Sequence, residues 1–178
     1  MRKAAIEHHK KGFVGAVFRG HNPKWSWAPE SGIGAKNNGG RFNPKGTAAL
    51  YTSLSQQGAW VEAQQSFKLK AQPLTICQYE VDSSDIIDLT NEDLLLDCGI
   101  KPSTLSGAWI SAKPKYVAPS QRLALNLIEC GVAGIIVPSY ASAASVDMKN
   151  LVFFDWSRKP PHQVCVVDDE NRLPSKPF

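Results

Sequence analysis

The chain has 178 residues, 43% of them hydrophobic, which suits one domain with a buried core and argues against a disordered or fibrous protein. Its 20 basic and 16 acidic residues give a net charge of +4, spread from Arg2 to Lys176 without a basic block; that gives weak support to nucleic-acid binding and is compatible with an anionic small ligand. Cys77, Cys98, Cys130 and Cys165 form no CxxC pair and no cysteine–histidine cluster, so neither a disulfide framework nor a zinc site is expected.

Residues 1–11 read as a short helix or a frayed start, basic but followed by no apolar h-region. No stretch approaches the roughly 20 apolar residues of a membrane span, so we expect a cytoplasmic protein without a membrane partner. Residues 13–18 predict a strand that delivers Arg19 at its end, where strand meets loop. From 21 to 46 the chain is rich in Gly, Pro, Asn and Trp, a loop longer than compact domains usually carry without a functional reason. Residues 48–53 predict a short strand, and 56–70 a helix with Ala59, Ala63 and Phe67 on one face and Glu62 at the edge of that stripe, facing either a cleft or water. Residues 73–81 have the β-branched and aromatic content of a strand, with a shorter one at 86–89. Residues 90–93 then resemble a helix start, and Gly99 is placed to end that helix in the left-handed conformation. Residues 103–119 read as irregular. A helix over 120–130 follows, with Leu123, Leu127 and Ile128 inward. Residues 133–137 predict a buried strand that presents Ser139 at its end, 140–149 a small-residue loop, 151–154 and 164–167 two more strands, and 168–178 a loosely held tail. The expected fold is a single α+β domain over 1–178, with its core at about 13–156; the cadence is not the regular βαβ of a doubly wound sheet.

The densest stretch of position-demanding residues is 25–62. Glycines 32, 34, 39, 40 and 46 allow positive φ and close backbone approach, and they flank Arg41, as in a loop that holds an anion. Gly32-Ile-Gly-Ala is followed by polar loop, so it is not a Rossmann fingerprint. Taken in order, Phe18-Arg-Gly20, Gly39-Gly-Arg-Phe-Asn-Pro-Lys-Gly46, Leu50-Tyr-Thr-Ser53 and Glu62 resemble the RES-domain family. The resemblance implies a compact sheet-cored fold related to ADP-ribosyltransferases around a cleft for nicotinamide adenine dinucleotide (NAD). It also implies a toxin of a toxin–antitoxin module that lowers cellular NAD by hydrolysis or phosphorolysis, or transfers ADP-ribose to a protein target. The implied partner is a helix-turn-helix (Xre-type) antitoxin. The family's arginine, glutamate and serine fall on Arg19, Glu62 and Ser139, its tyrosine on Tyr51 and its second arginine on Arg41; Ser142 and Ser145 remain alternatives to Ser139.

The chemistry such a reaction needs agrees with these residue types. Nicotinamide is cationic on the ribose and leaves as a neutral molecule, so no proton donor is needed and one of a glycosidase's two carboxylates is dispensable. Glu62 would then stabilise the positive charge developing on the ribose. Arg19 and Arg41 suit the diphosphate, as planar groups with permanent charge. Tyr51 could stack on nicotinamide and offer its hydroxyl, Ser139 would add a neutral donor, and Asn150 could orient the ribose or a loop. Read alone, Tyr51 is a core residue, Glu62 a solvated helix glutamate, Arg19 a strand-end cation, Arg41 one half of an ion pair, and the four histidines are solvent-exposed. Trp25 and Trp27 line the cleft, form a lid or meet a partner. The alternative to an enzyme is a non-catalytic dinucleotide-binding or interaction module.

Overall fold

A computed structural model of the chain describes residues 2–65, 71–111 and 116–176. Its elements run in the order α1 (Lys3–His9), β1 (Lys11–His21), a 3-10 turn (Pro23–Trp25), α2 (Ile33–Asn38), β2 (Leu50–Ser53), α3 (Gln56–Gln64), β3 (Thr75–Asp88), α4 (Glu92–Cys98), α5 (Pro102–Ser106), α6 (Pro119–Glu129), β4 (Gly134–Pro138), β5 (Lys149–Phe153) and β6 (His162–Val166). The sheet order is β1-β2-β5-β4-β3-β6, and β1 also pairs with β3, so the first five strands of that order close into a ring with β6 added on β3. β3 and β4 run parallel; the other pairings named here are antiparallel.

Alternation along the strands divides the core in two. Ile135, Val137 and Val152 point toward α4, α5 and α6 and meet Leu94, Leu105, Leu123 and Leu127. Leu151 and Phe153, one residue out of phase, join Val17, Leu50, Tyr79 and Val81 in the other cluster. α3 lies against β1, where a Cβ added at Gly20 would stand 2.7 Å from the Cβ of Ala63. Among the described residues no helix is long and apolar enough to cross a membrane.

Several element boundaries differ from the sequence reading. β1 continues to His21, because Arg19, Gly20 and His21 stay in register with Cys77, Ile76 and Thr75; Arg19 therefore lies inside a strand and not at its end. The strands expected at 73–81 and 86–89 are one strand, β3, which bends at Asp85, a residue with φ of 60°. The long loop holds the 3-10 turn and α2, and the irregular 103–119 stretch opens with α5. α3 ends at Gln64, and residues 66–70 of the expected helix, including Phe67, lie outside the described residues. α4 is terminated as its sequence indicates: Asn91 Oδ1 accepts from the Leu94 amide, and Gly99 takes a left-handed conformation. In the tail, Leu173 packs against the cluster that holds Val17, Leu50 and Tyr79, and the Lys176 ammonium lies 5.6 Å from the Trp27 ring centroid.

Candidate active site

β5 lies between β2 and β4, so Asn150 sits in register with Ser53 on one side and Val137 on the other, with Ser139 just past the end of β4. α3 follows β2 directly, started by Ser55, whose Oγ accepts from the Gly58 amide. That short connection brings Glu62 over the same strand ends. Glu62 Oε1 accepts from Ser139 Oγ at 2.5 Å and from Asn150 Nδ2 at 2.6 Å, and Oε2 accepts from Gln65 Nε2 at 2.9 Å. The hydrogen bonds join Glu62 to Ser139 across 77 residues of chain and to Asn150 across 88. Ser142 and Ser145, the alternatives to Ser139, are exposed on the loop beyond it.

The Gly-rich segment is held by a buried asparagine. Asn43 is 0% exposed; its Nδ2 donates to the carbonyls of Ala35, Pro44 and Thr47, and its Oδ1 accepts from Tyr51 Oη at 2.8 Å. Tyr51 Oη also accepts from the Phe42 amide at 3.0 Å. The Tyr51 hydroxyl, expected at the substrate, is thus engaged by the loop, and burial pushes its pKa upward. Gly40 is required here, since a Cβ would come within 2.5 Å of Tyr51 Oη and 2.8 Å of Asn43 Oδ1. The first turn of α6 clamps the other side: Ser120 Oγ donates to the Arg41 carbonyl at 2.6 Å and Gln121 Nε2 to that of Gly40 at 2.9 Å.

Both arginines are fixed through one terminal nitrogen. Arg41 Nη1 donates to the carbonyls of Leu105 and Gly107, and its guanidinium carbon lies 4.4 Å from the Tyr140 ring centroid. Arg19 Nη1 donates to the carbonyls of Pro29 and Ser31, and its burial disfavours the charged form. Since a guanidinium carries five donors, this anchoring leaves others for a ligand. The intervening Glu30 carbonyl accepts from Trp156 Nε1, and Pro29 also accepts from Tyr79 Oη, so three consecutive carbonyls of the loop are tied down. His21, read as exposed, is 6% exposed and bonded at 2.8 Å to Tyr79 Oη: the extra length of β1 carries it into the interior.

Arg19, Arg41, Tyr51, Glu62, Tyr140 and Asn150 line one cleft of about 630 Å³. Two guanidinium groups against one carboxylate give its lining an excess of positive charge. A second space of about 220 Å³ adjoins it, and a groove of about 460 Å³ holding Trp25 and Trp27 also opens beside Arg19. The sequence reading thus named the cleft's charged residues but missed Asn43, Ser120, Gln121 and Tyr140, which shape it. Of these only Asn43 had a local signal, its place in the Gly-rich motif. Among the described residues no group of three or more His, Cys, Asp or Glu side chains is placed to hold a metal ion.

The RES domain family matches residues 16–175. The fold is also similar to that of a chain in the crystal structure of the M. tuberculosis MbcT–MbcA toxin–antitoxin complex, with a TM-score of 0.67 and 20% sequence identity over 93% of this chain and 88% of that one. No curated protein matches the chain in sequence.

Proposed function

The chain belongs to the RES-domain family, and we propose that it is the toxin of a toxin–antitoxin pair that cleaves the nicotinamide–ribose bond of NAD. The observation that carries this reading is the Glu62 carboxylate, set at the cleft by Ser139 and Asn150 at 2.5 and 2.6 Å. In the reaction the bond between ribose C1′ and the pyridinium nitrogen breaks with its electron pair going to nitrogen. Nicotinamide leaves neutral, and positive charge develops on the ribose. A carboxylate held in place before reaction stabilises that charge without the cost of reorganising solvent. Ser139 and Asn150 fix its direction, and Arg19 and Arg41 supply donors and charge for the diphosphate. Water, phosphate or a protein side chain then attacks C1′ and gives up its proton. An ADP-ribosyltransferase-like origin accords with this chemistry.

The complex that holds the structurally similar chain joins a toxin to an antitoxin, and we infer for this chain an antitoxin partner, of the helix-turn-helix (Xre) type, that covers the rim of the cleft. Ile110 is 75% exposed at the cleft, and Trp25 and Ile33 are exposed at the adjoining groove, an apolar margin that a covering partner would bury.

Incubation of the purified protein with NAD, with and without phosphate and with a cell lysate, tests the reading. Free nicotinamide is expected in at least one condition, with phosphate dependence or labelling of a protein band identifying the acceptor. Glu62→Gln is expected to lower turnover by about 10²–10³-fold while NAD still binds, the range seen on removing one preorganised electrostatic group. A folded protein that releases no nicotinamide in any condition would instead be a non-catalytic dinucleotide-binding module.

A further inference from the structure

Beside the cleft, and sharing Arg19 with it, runs the groove of about 460 Å³ between the end of β1 and α2. Its lining includes Trp25, Trp27, Ile33 and the amides of Asn22, Asn37 and Asn38. The NAD chemistry at Glu62 uses none of these side chains. Trp25 is 57% exposed and Ile33 64%, so two elements turn apolar surface toward solvent at the groove. Each indole also carries a cation. Lys24 Nζ lies 5.2 Å from the Trp25 ring centroid and Lys176 Nζ 5.6 Å from that of Trp27. Among the described residues neither ammonium has a carboxylate within ion-pairing distance. A flat ring with a positive charge beside it, given twice, matches a polymer whose repeating unit is a flat base and a phosphate. We propose that this groove binds single-stranded nucleic acid, with successive bases stacked on Trp25 and Trp27 and their phosphates at Lys24 and Lys176.

The polar atoms of the groove suit bases. Asn22 Oδ1 accepts from the Lys24 amide and Asn38 Nδ2 donates to the Gly34 carbonyl, which leaves an amino group on Asn22 and an oxygen on Asn38. Side-chain amides offer a donor and an acceptor side by side, as unpaired base edges do. Trp27 Nε1 is buried without an acceptor among the described residues, a donor still to be satisfied by whatever settles on the indole, and every base has acceptor atoms on its edge. Charge points the same way. The chain carries a net +4, and Arg19, at the wall between groove and cleft, is anchored through Nη1 alone. An apolar peptide laid over the indoles would instead strip water from two unpaired ammonium groups. A duplex is a poor fit, because its bases are already stacked and paired and have no face to give to an indole. An antitoxin seated on the same apolar margin would displace the strand, so the site is one of the free toxin.

The test is a titration of the purified full chain into a fluorescein-labelled single strand of mixed sequence, about twelve nucleotides long, as RNA and as DNA, followed by anisotropy. Saturable binding is expected, at least about tenfold tighter than to the same sequence as a duplex. Affinity should fall with salt, and Lys24→Gln and Lys176→Gln should each reduce the slope of log K against log salt by about 0.7, the value for one phosphate of a single strand. Trp25→Ala removes one stacking platform and is expected to weaken binding by about 5- to 100-fold, against no more than about twofold for Val146→Ala, a fully exposed apolar side chain outside the groove. No binding, a duplex that binds as well, or a Kd and salt slope unchanged in all three groove variants would overturn the proposal. So would full displacement of the strand by ADP-ribose, which would make the groove an arm of the dinucleotide cleft, or by AMP at concentrations near the strand's own Kd, which would make it a mononucleotide site. Lys24 and Lys176 are exposed, so their variants and the wild-type titrations decide the question even if Trp25→Ala does not fold. None of these readouts depends on NAD cleavage, so their failure leaves the enzymatic reading standing.

Discussion

Glu62 Oε1 receives two donors whose roles differ. Ser139 Oγ accepts from the Ala141 amide at 3.3 Å, which turns its hydrogen toward the carboxylate, while Asn150 approaches from within the rigid β5 strand. Removing the serine hydroxyl removes one hydrogen bond to a charged group and leaves the strand-borne one. Such a bond is worth about 1.5–3 kcal/mol, so Ser139→Ala is expected to lower kcat for nicotinamide release by about 10- to 100-fold with little change in KM. Ser142→Ala, at an exposed position, is the control and should leave both constants unchanged. A rise in KM with kcat intact would mean that Ser139 contacts ground-state substrate and does not orient Glu62.

The Gly-rich segment is a structural element in its own right, built around one side chain. With Asn43 replaced by alanine, the carbonyls of Ala35, Pro44 and Thr47 and the Tyr51 hydroxyl would each lose a buried partner. At about 1 kcal/mol for each of these four groups, Asn43→Ala is expected to cost about 4 kcal/mol in urea unfolding, against less than about 0.5 for Asn38→Ala, whose single bond to the Gly34 carbonyl is exposed. The glycines and the arginine of this segment are legible in the sequence because they meet local backbone demands. Ser120 and Gln121 are not, because they reach the loop across 79 and 81 residues of chain and only the tertiary packing of α6 brings them there. The same distinction separates the elements. The ends of α4 follow from Asn91 and Gly99, which act on neighbouring amides and on their own backbone. The length of β1 depends on a β3 partner more than 50 residues away, which no pattern within 13–18 encodes. Ser139 and Asn150 are intermediate: the apolar runs at 133–137 and 151–154 placed them near strand ends, but their convergence on Glu62 requires the order β2-β5-β4.

At the scale of the whole molecule, the end of β1 and the loop that follows it bury a titratable group. His21 stands at the end of β1, and Tyr79 Oη spends its one hydrogen on the Pro29 carbonyl at 2.8 Å, so His21 Nε2 must be the donor to Tyr79 and the ring is the neutral Nε2–H tautomer. Burial first, and the positive charge of Arg19 second, lower its pKa from the ordinary 6.5 to about 4. A folded-state pKa below the unfolded value means that the unfolded chain binds the proton more readily. The contribution to stability is therefore complete above pH 6.5 and is lost as the pH falls toward about 4, by up to about 3 kcal/mol. The loss should appear in the unfolding free energy measured with urea. His21→Gln keeps an N–H donor but cannot take up the proton. It should be less stable than wild type near neutral pH and fall off less steeply on acidification, so that the gap between the two unfolding free energies narrows across that window. Parallel curves would assign the acid response to other groups. A narrowing gap would tie acid stability to the network that holds Pro29, and through Pro29 and Ser31 to the placement of Arg19 in the cleft.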